Sequence, residues 1–268
     1  SGQLYRGAKP VMWSPVEKTA LAEAEVEYED VTSTQIDVAF EIVEAPNAPE
    51  LVGAHAVIWT TTPWTIPVNQ ALAYGPEVEY VLVEFTSVGV AGTAVPYSDA
   101  LEGWDHPALA RVRGKKFVVA KDLFDSWHGR ILKAATIEMT DVGKTPASMT
   151  ETLKIFKGSD LAGAKARHPI YNLLRHPGES RDPASSSDVA EGSGTPDQVR
   201  GDDRERQLAF FAKPRPFLAG DFVTTDAGTG LVHMSPDHGE DDFALCKANG
   251  INPVFAVEGD GKYRADWA

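Results

Sequence analysis

A chain of 268 residues that is 43% hydrophobic can close a packed core, as one large domain or two small ones. Its net charge of −14 excludes a surface that grips nucleic acid along its length, because neutralising phosphates takes a Lys/Arg face; any such contact is local or falls to a partner domain. The single cysteine, Cys246, excludes an internal disulfide framework and reads as a small buried residue in a reducing compartment. No stretch approaches the roughly 18 apolar residues of a membrane span, and the N-terminus lacks the basic-then-apolar layout of a signal peptide. A cytoplasmic protein without membrane contact is expected, and the start at Ser1-Gly2, with no initiator Met, reads as the cut edge of something longer.

In chain order, residues 35–43 alternate apolar and polar side chains as a half-buried strand does, and Ala56-Val57-Ile58-Trp59 reads as a short buried strand. Residues 79–85 alternate again, residues 107–112 suggest a short helix, and residues 116–120 a strand. Residues 123–127 read as helix, 131–139 and 152–156 as strands. The stretch 172–207 breaks the pattern: Pro183-Ala184-Ser185-Ser186-Ser187 and Glu191-Gly192-Ser193-Gly194-Thr195-Pro196 offer little to bury, so a flexible surface insertion is expected there. Strands at 217–224 and 230–233 follow, then a helix at 240–248 with acidic residues in its first turn, where the helix dipole favours them. Many strands, few short helices and no internal repeat predict a mainly β fold with peripheral α-helices, β-barrel-like, forming one domain over residues 1–268.

Two regions are dense in chemistry. The strand at 56–59 runs straight into Thr60-Thr61-Thr62-Pro63-Trp64-Thr65-Ile66-Pro67, hydroxyls on a backbone stiffened by two prolines, suited to holding a polar substrate and a water molecule. Asp226-Ala227-Gly228-Thr229-Gly230 turns into a strand whose end delivers His233 to a Pro/Gly loop, and the acidic helix start with Asp242 follows. Read plainly, this second region is an edge histidine and an ordinary helix start. A metal site from His233, His238, Asp241 and Asp242 matches no common zinc spacing, since HExxH, HxH and paired cysteines are absent. A serine nucleophile has no GxSxG, and Gly228-Thr229-Gly230 lacks the rest of a phosphate loop.

Together the motifs are recognisable. Trp59-Thr60-Thr61-Thr62-Pro63-Trp64-Thr65-Ile66-Pro67-Val68-Asn69 resembles the threonine-rich peptide of the isoleucyl-tRNA synthetase editing domain. Gly228 to His233, with His238-Gly239-Glu240-Asp241-Asp242-Phe243, resembles that domain's other signature, and Lys9-Pro10-Val11-Met12-Trp13 within residues 1–30 resembles its leading segment. Valyl and leucyl relatives typically carry Thr-Thr-Arg-Pro where Thr60-Thr61-Thr62-Pro63 stands here, and Met234-Ser235-Pro236-Asp237 departs from the Thr-Ala-Pro-Gly often found in the family.

The resemblance implies a proofreading hydrolase. Isoleucine and valine differ by one methylene, worth about 1–3 kcal/mol in a hydrophobic pocket, a magnitude known from this same synthetase family; a second, smaller site that hydrolyses valyl products makes up the fidelity. It implies that Asp242 holds the α-ammonium of valine and that His233 lines the side-chain pocket. Thr60, Thr61 and Thr62 would contact the terminal adenosine and orient water, Asn69 would line the pocket, and Trp64 would be scaffold. His233 and a ribose hydroxyl remain alternative helpers of the water. The implied partners are the aminoacylated 3′ end of tRNA(Ile), valyl-adenylate and the remainder of a parent synthetase, with the fragment a monomer. His-x-Gly-His and Lys-Met-Ser-Lys-Ser are absent, so no cofactor is expected in this piece; ATP, Mg and Zn would belong to other parts of the parent. A non-catalytic domain that binds tRNA ends or supports the parent's architecture, and a metal-dependent hydrolase, are the alternatives.

Overall fold

The computed structural model describes residues 7–91, 111–138, 145–174 and 196–267. A two-stranded hairpin, β1 (Trp13–Ser14) and β2 (Thr19–Ala20), precedes the main sheet. Nine strands make that sheet: β3 (Ile36–Glu44), β4 (His55–Thr60), β5 (Ala71–Tyr74), β6 (Glu79–Ala91), β7 (Lys116–Ala120), β8 (Thr145–Lys157), β9 (Lys165–Arg167), β10 (Arg215–Ala219) and β11 (Leu231–Met234). Their spatial order is β11-β5-β10-β9-β3-β4-β7-β6-β8. The helices are α1 (Phe124–Glu138), α2 (Pro169–Leu174), α3 (Pro196–Ala212) and α4 (Glu240–Ala248). No helix among the described residues is long and apolar enough to cross a membrane.

Side-chain alternation sorts the strands onto two buried faces. Ala56 and Ile58 of β4, Tyr80 and Leu82 of β6, and Val118 and Ala120 of β7 join one core with Phe40, Ile42, Leu72, Tyr74 and Leu231. Their neighbours Val57, Val81, Val83, Phe117 and Val119 point the other way, under Trp127 of α1. Burial on both sides explains why β4 and β7 read as unbroken apolar runs. A third cluster, Ala71, Ala73, Leu218, Met234 and Cys246, seats α4 on the outer face of β5, β10 and β11. Cys246 is fully buried there, and desolvation pushes its thiol up to about 12.

The sheet curls around the first core until β11 packs against β4. The Ala120 amide donates to the Thr229 carbonyl at 2.8 Å across that approach. Mainly β architecture with peripheral helices is therefore what the chain adopts, its barrel-like character expressed as this curl. Gly230, at φ 72°, makes the approach sterically possible: a Cβ on it would stand 2.3 Å from the Ala120 Cβ. Beside it, the buried Tyr80 hydroxyl donates to the Gly230 carbonyl at 2.6 Å and accepts from the Gly75 amide at 3.0 Å.

Several elements differ from expectation. Residues 131–138, expected as strand, continue the helix begun at Phe124. The helix passes through Gly129, which has open space around its Cα, and Phe124, Trp127 and Ile131 fall on one buried face. Met139 lies outside the described residues. The strand expected over 217–224 spans Arg215–Ala219 and stops because Gly220 opens a turn closed by the Val223 amide on the Gly220 carbonyl, 3.2 Å. Of the helix expected at 107–112, only Arg111 and Val112 are described, and they sit in a turn. The stretch 172–207 is helical in both its described parts, in α2 and α3, and Gln207 donates to the Asp266 carbonyl at 2.9 Å; residues 175–195 lie outside the described set.

Candidate functional site

The threonine run begins where β4 loses its neighbour. Ile36 of β3 pairs with Thr60, the last residue of the ladder, and the chain then folds on its own hydroxyls. Thr60 Oγ1 accepts from the Thr62 amide at 3.1 Å and lies 3.1 Å from Thr62 Oγ1. Pro63, which has no N–H to leave unpaired, starts a 3-10 turn, Pro63–Val68. The Thr65 amide and hydroxyl both donate to the Thr62 carbonyl, at 3.0 and 2.8 Å, and the Asn69 amide closes the turn on the Ile66 carbonyl at 3.0 Å. Thr60 is buried while Thr61 and Thr62 are exposed.

His233 arrives from β11, held opposite Leu72 of β5. Its Nε2 lies 3.0 Å from Thr65 Oγ1. Because the Thr65 proton is already directed to the Thr62 carbonyl, the imidazole donates from Nε2 and leaves Nδ1 as a bare lone pair. That Nδ1 is buried and has no hydrogen-bond partner among the described residues, nor have Asn69 Oδ1, Ser235 Oγ and His238 Nε2. Desolvation pushes His233 down to about 4, with His238 adding to the effect, so the ring is neutral at physiological pH.

Asp242 stands in the first turn of α4 and reaches back, Oδ2 accepting from the Ser235 amide at 2.7 Å. Gly239 makes room: a Cβ there would lie 2.9 Å from the Asp242 Cγ. Burial raises this carboxyl from 3.8 to about 6, against the lowering effect of the Ser235 amide. It is thus mostly ionised at neutral pH yet poorly solvated, a state that an ammonium group relieves.

Thr60, Thr62 and His233 are therefore linked through Thr65, Asn69 closes the same turn, and Asp242 is tied to the residue two beyond His233. Among the described residues Thr61 engages through its backbone, its carbonyl accepting from Ser33 Oγ at 3.4 Å. Trp64 packs edge-on against His238 at 4.7 Å while its carbonyl accepts from the Tyr263 hydroxyl, and its indole is half exposed. Asp237 caps the Val254 and Phe255 amides at 3.2 and 2.7 Å. No group of three or more His, Cys, Asp or Glu side chains gathers as a metal site among the described residues. The link that the motif reading left out is the Thr65 hydroxyl; the signal for it was the fourth threonine of the run.

Residues 1–238 match the family of class I tRNA synthetases (I, L, M and V). The chain belongs to the class I tRNA synthetases. Within that family it is 45% identical over 267 residues to the isoleucine–tRNA ligase of Zymomonas mobilis, all of this chain against 20% of that one. The isoleucine–tRNA ligase of Gluconobacter oxydans is 41% identical over 268 residues, again all of this chain and 21% of the relative. The chain thus spans about a fifth of the length of the synthetases it matches. Among solved structures, the P. knowlesi cytosolic leucyl-tRNA synthetase editing domain superposes with a TM-score of 0.38 at 11% identity, over 83% of this chain and 66% of that one. The family assignment rests on the sequence match.

Proposed function

We propose that this synthetase segment is a hydrolytic editing unit that deacylates Val-tRNA(Ile), and valyl-adenylate, and spares the isoleucyl products. The observation that carries the reading is the 3.0 Å contact from Thr65 to His233, which joins the hydroxyl-rich turn to the strand that leads to Asp242. In this reading Asp242 takes the α-ammonium. The ammonium supplies the counter-charge that the half-buried carboxylate lacks, and the bond strengthens as the site closes over it. His233, neutral and fixed by Thr65, forms one wall of the side-chain pocket, and Asn69 lies at the other end of the turn. Thr61 and Thr62, exposed at the mouth, present hydroxyls to the adenosine end and to the attacking water, and Thr60 holds Thr62 in place.

A base as weak as His233 in this environment is a poor proton acceptor. The chain's contribution is accordingly orientation of ester and water, with the proton passing to the water's own neighbours, the ribose hydroxyl included. Binding of the parent's tRNA falls chiefly to surfaces elsewhere in the synthetase, in keeping with the net charge of −14.

The test is hydrolysis of Val-tRNA(Ile) against Ile-tRNA(Ile) at low salt and excess protein, with Asp242→Ala beside the parent chain. Selective loss of valine that disappears in the variant is expected. Equal hydrolysis of both esters, or a variant as active as the parent, overturns the reading; binding of a non-hydrolysable valyl-adenosine analogue without turnover identifies a domain that only binds tRNA ends.

A further inference from the structure

The turn that carries the threonines is gripped from behind by a residue that belongs to no motif. His168 follows β9, is fully buried, and stands at the N-cap of α2. Its Nδ1 accepts from the Ile170 amide at 3.2 Å, and its Nε2 lies 2.9 Å from the Ile66 carbonyl. With Nδ1 accepting, the proton sits on Nε2 and is donated to Ile66, so both nitrogens are committed and the tautomer is fixed. Phe40 meets the ring edge-on at 5.5 Å and Phe211 of α3 lies at 4.8 Å, so aromatic rings pack on the imidazole from β3 and from α3. Burial, with the Arg215 guanidinium and His233 adding to it, pushes His168 down to about 3, so the pair of hydrogen bonds persists across the pH range of any translation enzyme.

We infer that His168 is a positioning residue for the threonine turn, setting through the Ile66 carbonyl where Thr65 and Asn69 present themselves to the reacting ester. Ile66 is the residue after Thr65, and its carbonyl also accepts the Asn69 amide at 3.0 Å. One carbonyl therefore collects the donor that closes the turn and the donor that anchors it to the sheet. Without the anchor, the turn keeps its internal hydrogen bonds but is free to tilt about Thr62, and the Thr65 hydroxyl moves relative to His233. Misplacement of about 1 Å costs on the order of a hundredfold in rate without touching the chemistry.

The inference rests on the editing reading, and two variants separate it from general stability. In His168→Asn the side-chain carbonyl replaces Nδ1 and keeps the α2 cap, but the donor to Ile66 is lost. In His168→Gln the amide nitrogen replaces Nε2 and keeps the donor to Ile66, but the cap is lost. Each removes one buried hydrogen bond, so a purely structural role predicts similar melting temperatures and similar activities. The positioning role predicts similar melting temperatures, a ten- to hundredfold fall in single-turnover valyl-tRNA hydrolysis for His168→Asn with KM held, and recovery to within about threefold of the parent in His168→Gln. Amide hydrogen exchange at Thr65 and Asn69, recorded on the same samples, must accelerate in His168→Asn and stay protected in His168→Gln. Equal effects of the two variants on rate and on exchange overturn the inference. If the parent chain itself hydrolyses neither ester, the editing reading fails, and the exchange comparison still decides whether His168 holds the turn.

Discussion

Asp242→Asn should make the protein more stable and less able to bind an aminoacyl ester. The carboxyl is raised from 3.8 to about 6 by burial. Two pKa units correspond to about 3 kcal/mol at about 1.36 kcal/mol each, and because Asp242 is half-buried, screening trims this to about 1–3 kcal/mol. The sign follows from proton binding. Between pH 3.8 and 6 the folded carboxyl binds its proton more tightly than the unfolded one, so stability falls as pH rises through that window and the full penalty is present at pH 7.5. Asparagine has no charge to desolvate, and its carbonyl oxygen can still accept from the Ser235 amide, the contact Asp242 makes at 2.7 Å. Urea unfolding of variant and parent at pH 7.5 and pH 5 should therefore give the variant an advantage of about 1–3 kcal/mol at the higher pH and about half of it at the lower. His233 and His168 are depressed and shift stability with the opposite slope, but both proteins carry them, so the difference isolates Asp242. A variant no more stable than the parent at pH 7.5, or an advantage independent of pH, would refute the electrostatic argument. A valyl-adenosine analogue should raise the parent's melting temperature and leave the variant's unchanged, and its affinity for the parent should weaken as pH drops through about 6.

Gly239→Ala directs its new Cβ at the flexible end of Asp242, 2.9 Å from Cγ, so the carboxylate swings away while the fold holds; calorimetry should find analogue affinity reduced tenfold or more with stability changed by less than about 1 kcal/mol. Gly230→Ala is the opposite case, since its Cβ meets the backbone-fixed Ala120 Cβ at 2.3 Å from a left-handed φ of 72°, and a loss of at least about 3 kcal/mol is expected by urea titration. Thr65→Val keeps the shape but strands the His233 Nε2 proton in a buried position, at a cost of about 1–3 kcal/mol; imidazole nitrogen shifts unchanged by the substitution would mean that the two side chains do not meet in solution.

What the sequence revealed follows from the range of the interactions involved. The strands β3 and β6 and the helix α4 were legible because alternation and an acidic first turn are local, and β4 and β7 because a strand buried on both faces is an unbroken apolar run. Helix α1 was split in two, since only the packing of its Phe124, Trp127 and Ile131 against Val81, Val83, Phe117 and Val119 of the sheet shows that one helix runs through. Thr60, Thr61, Thr62, His233 and Asp242 could be named from their motifs, yet nothing in their spacing says that Thr65 is the residue that meets His233, 168 positions away. His168 and Tyr263 were invisible for the same reason: each touches the turn from a distant part of the chain, and neither sits in a pattern of its own.

The Tyr80 hydroxyl, fixed between the Gly75 amide and the Gly230 carbonyl, has a bearing on which side chain β11 turns toward the threonine turn. Strand β11 is four residues long, and so short a ladder has little to stop it sliding along β5. A shift of one position would exchange inward for outward at every residue, putting Val232 or Met234 where the imidazole now stands. By holding the Gly230 carbonyl, one residue before the strand begins, Tyr80 of β6 keeps the histidine on the inner face, so that the side chain β11 presents there is a matter of alignment as much as of composition.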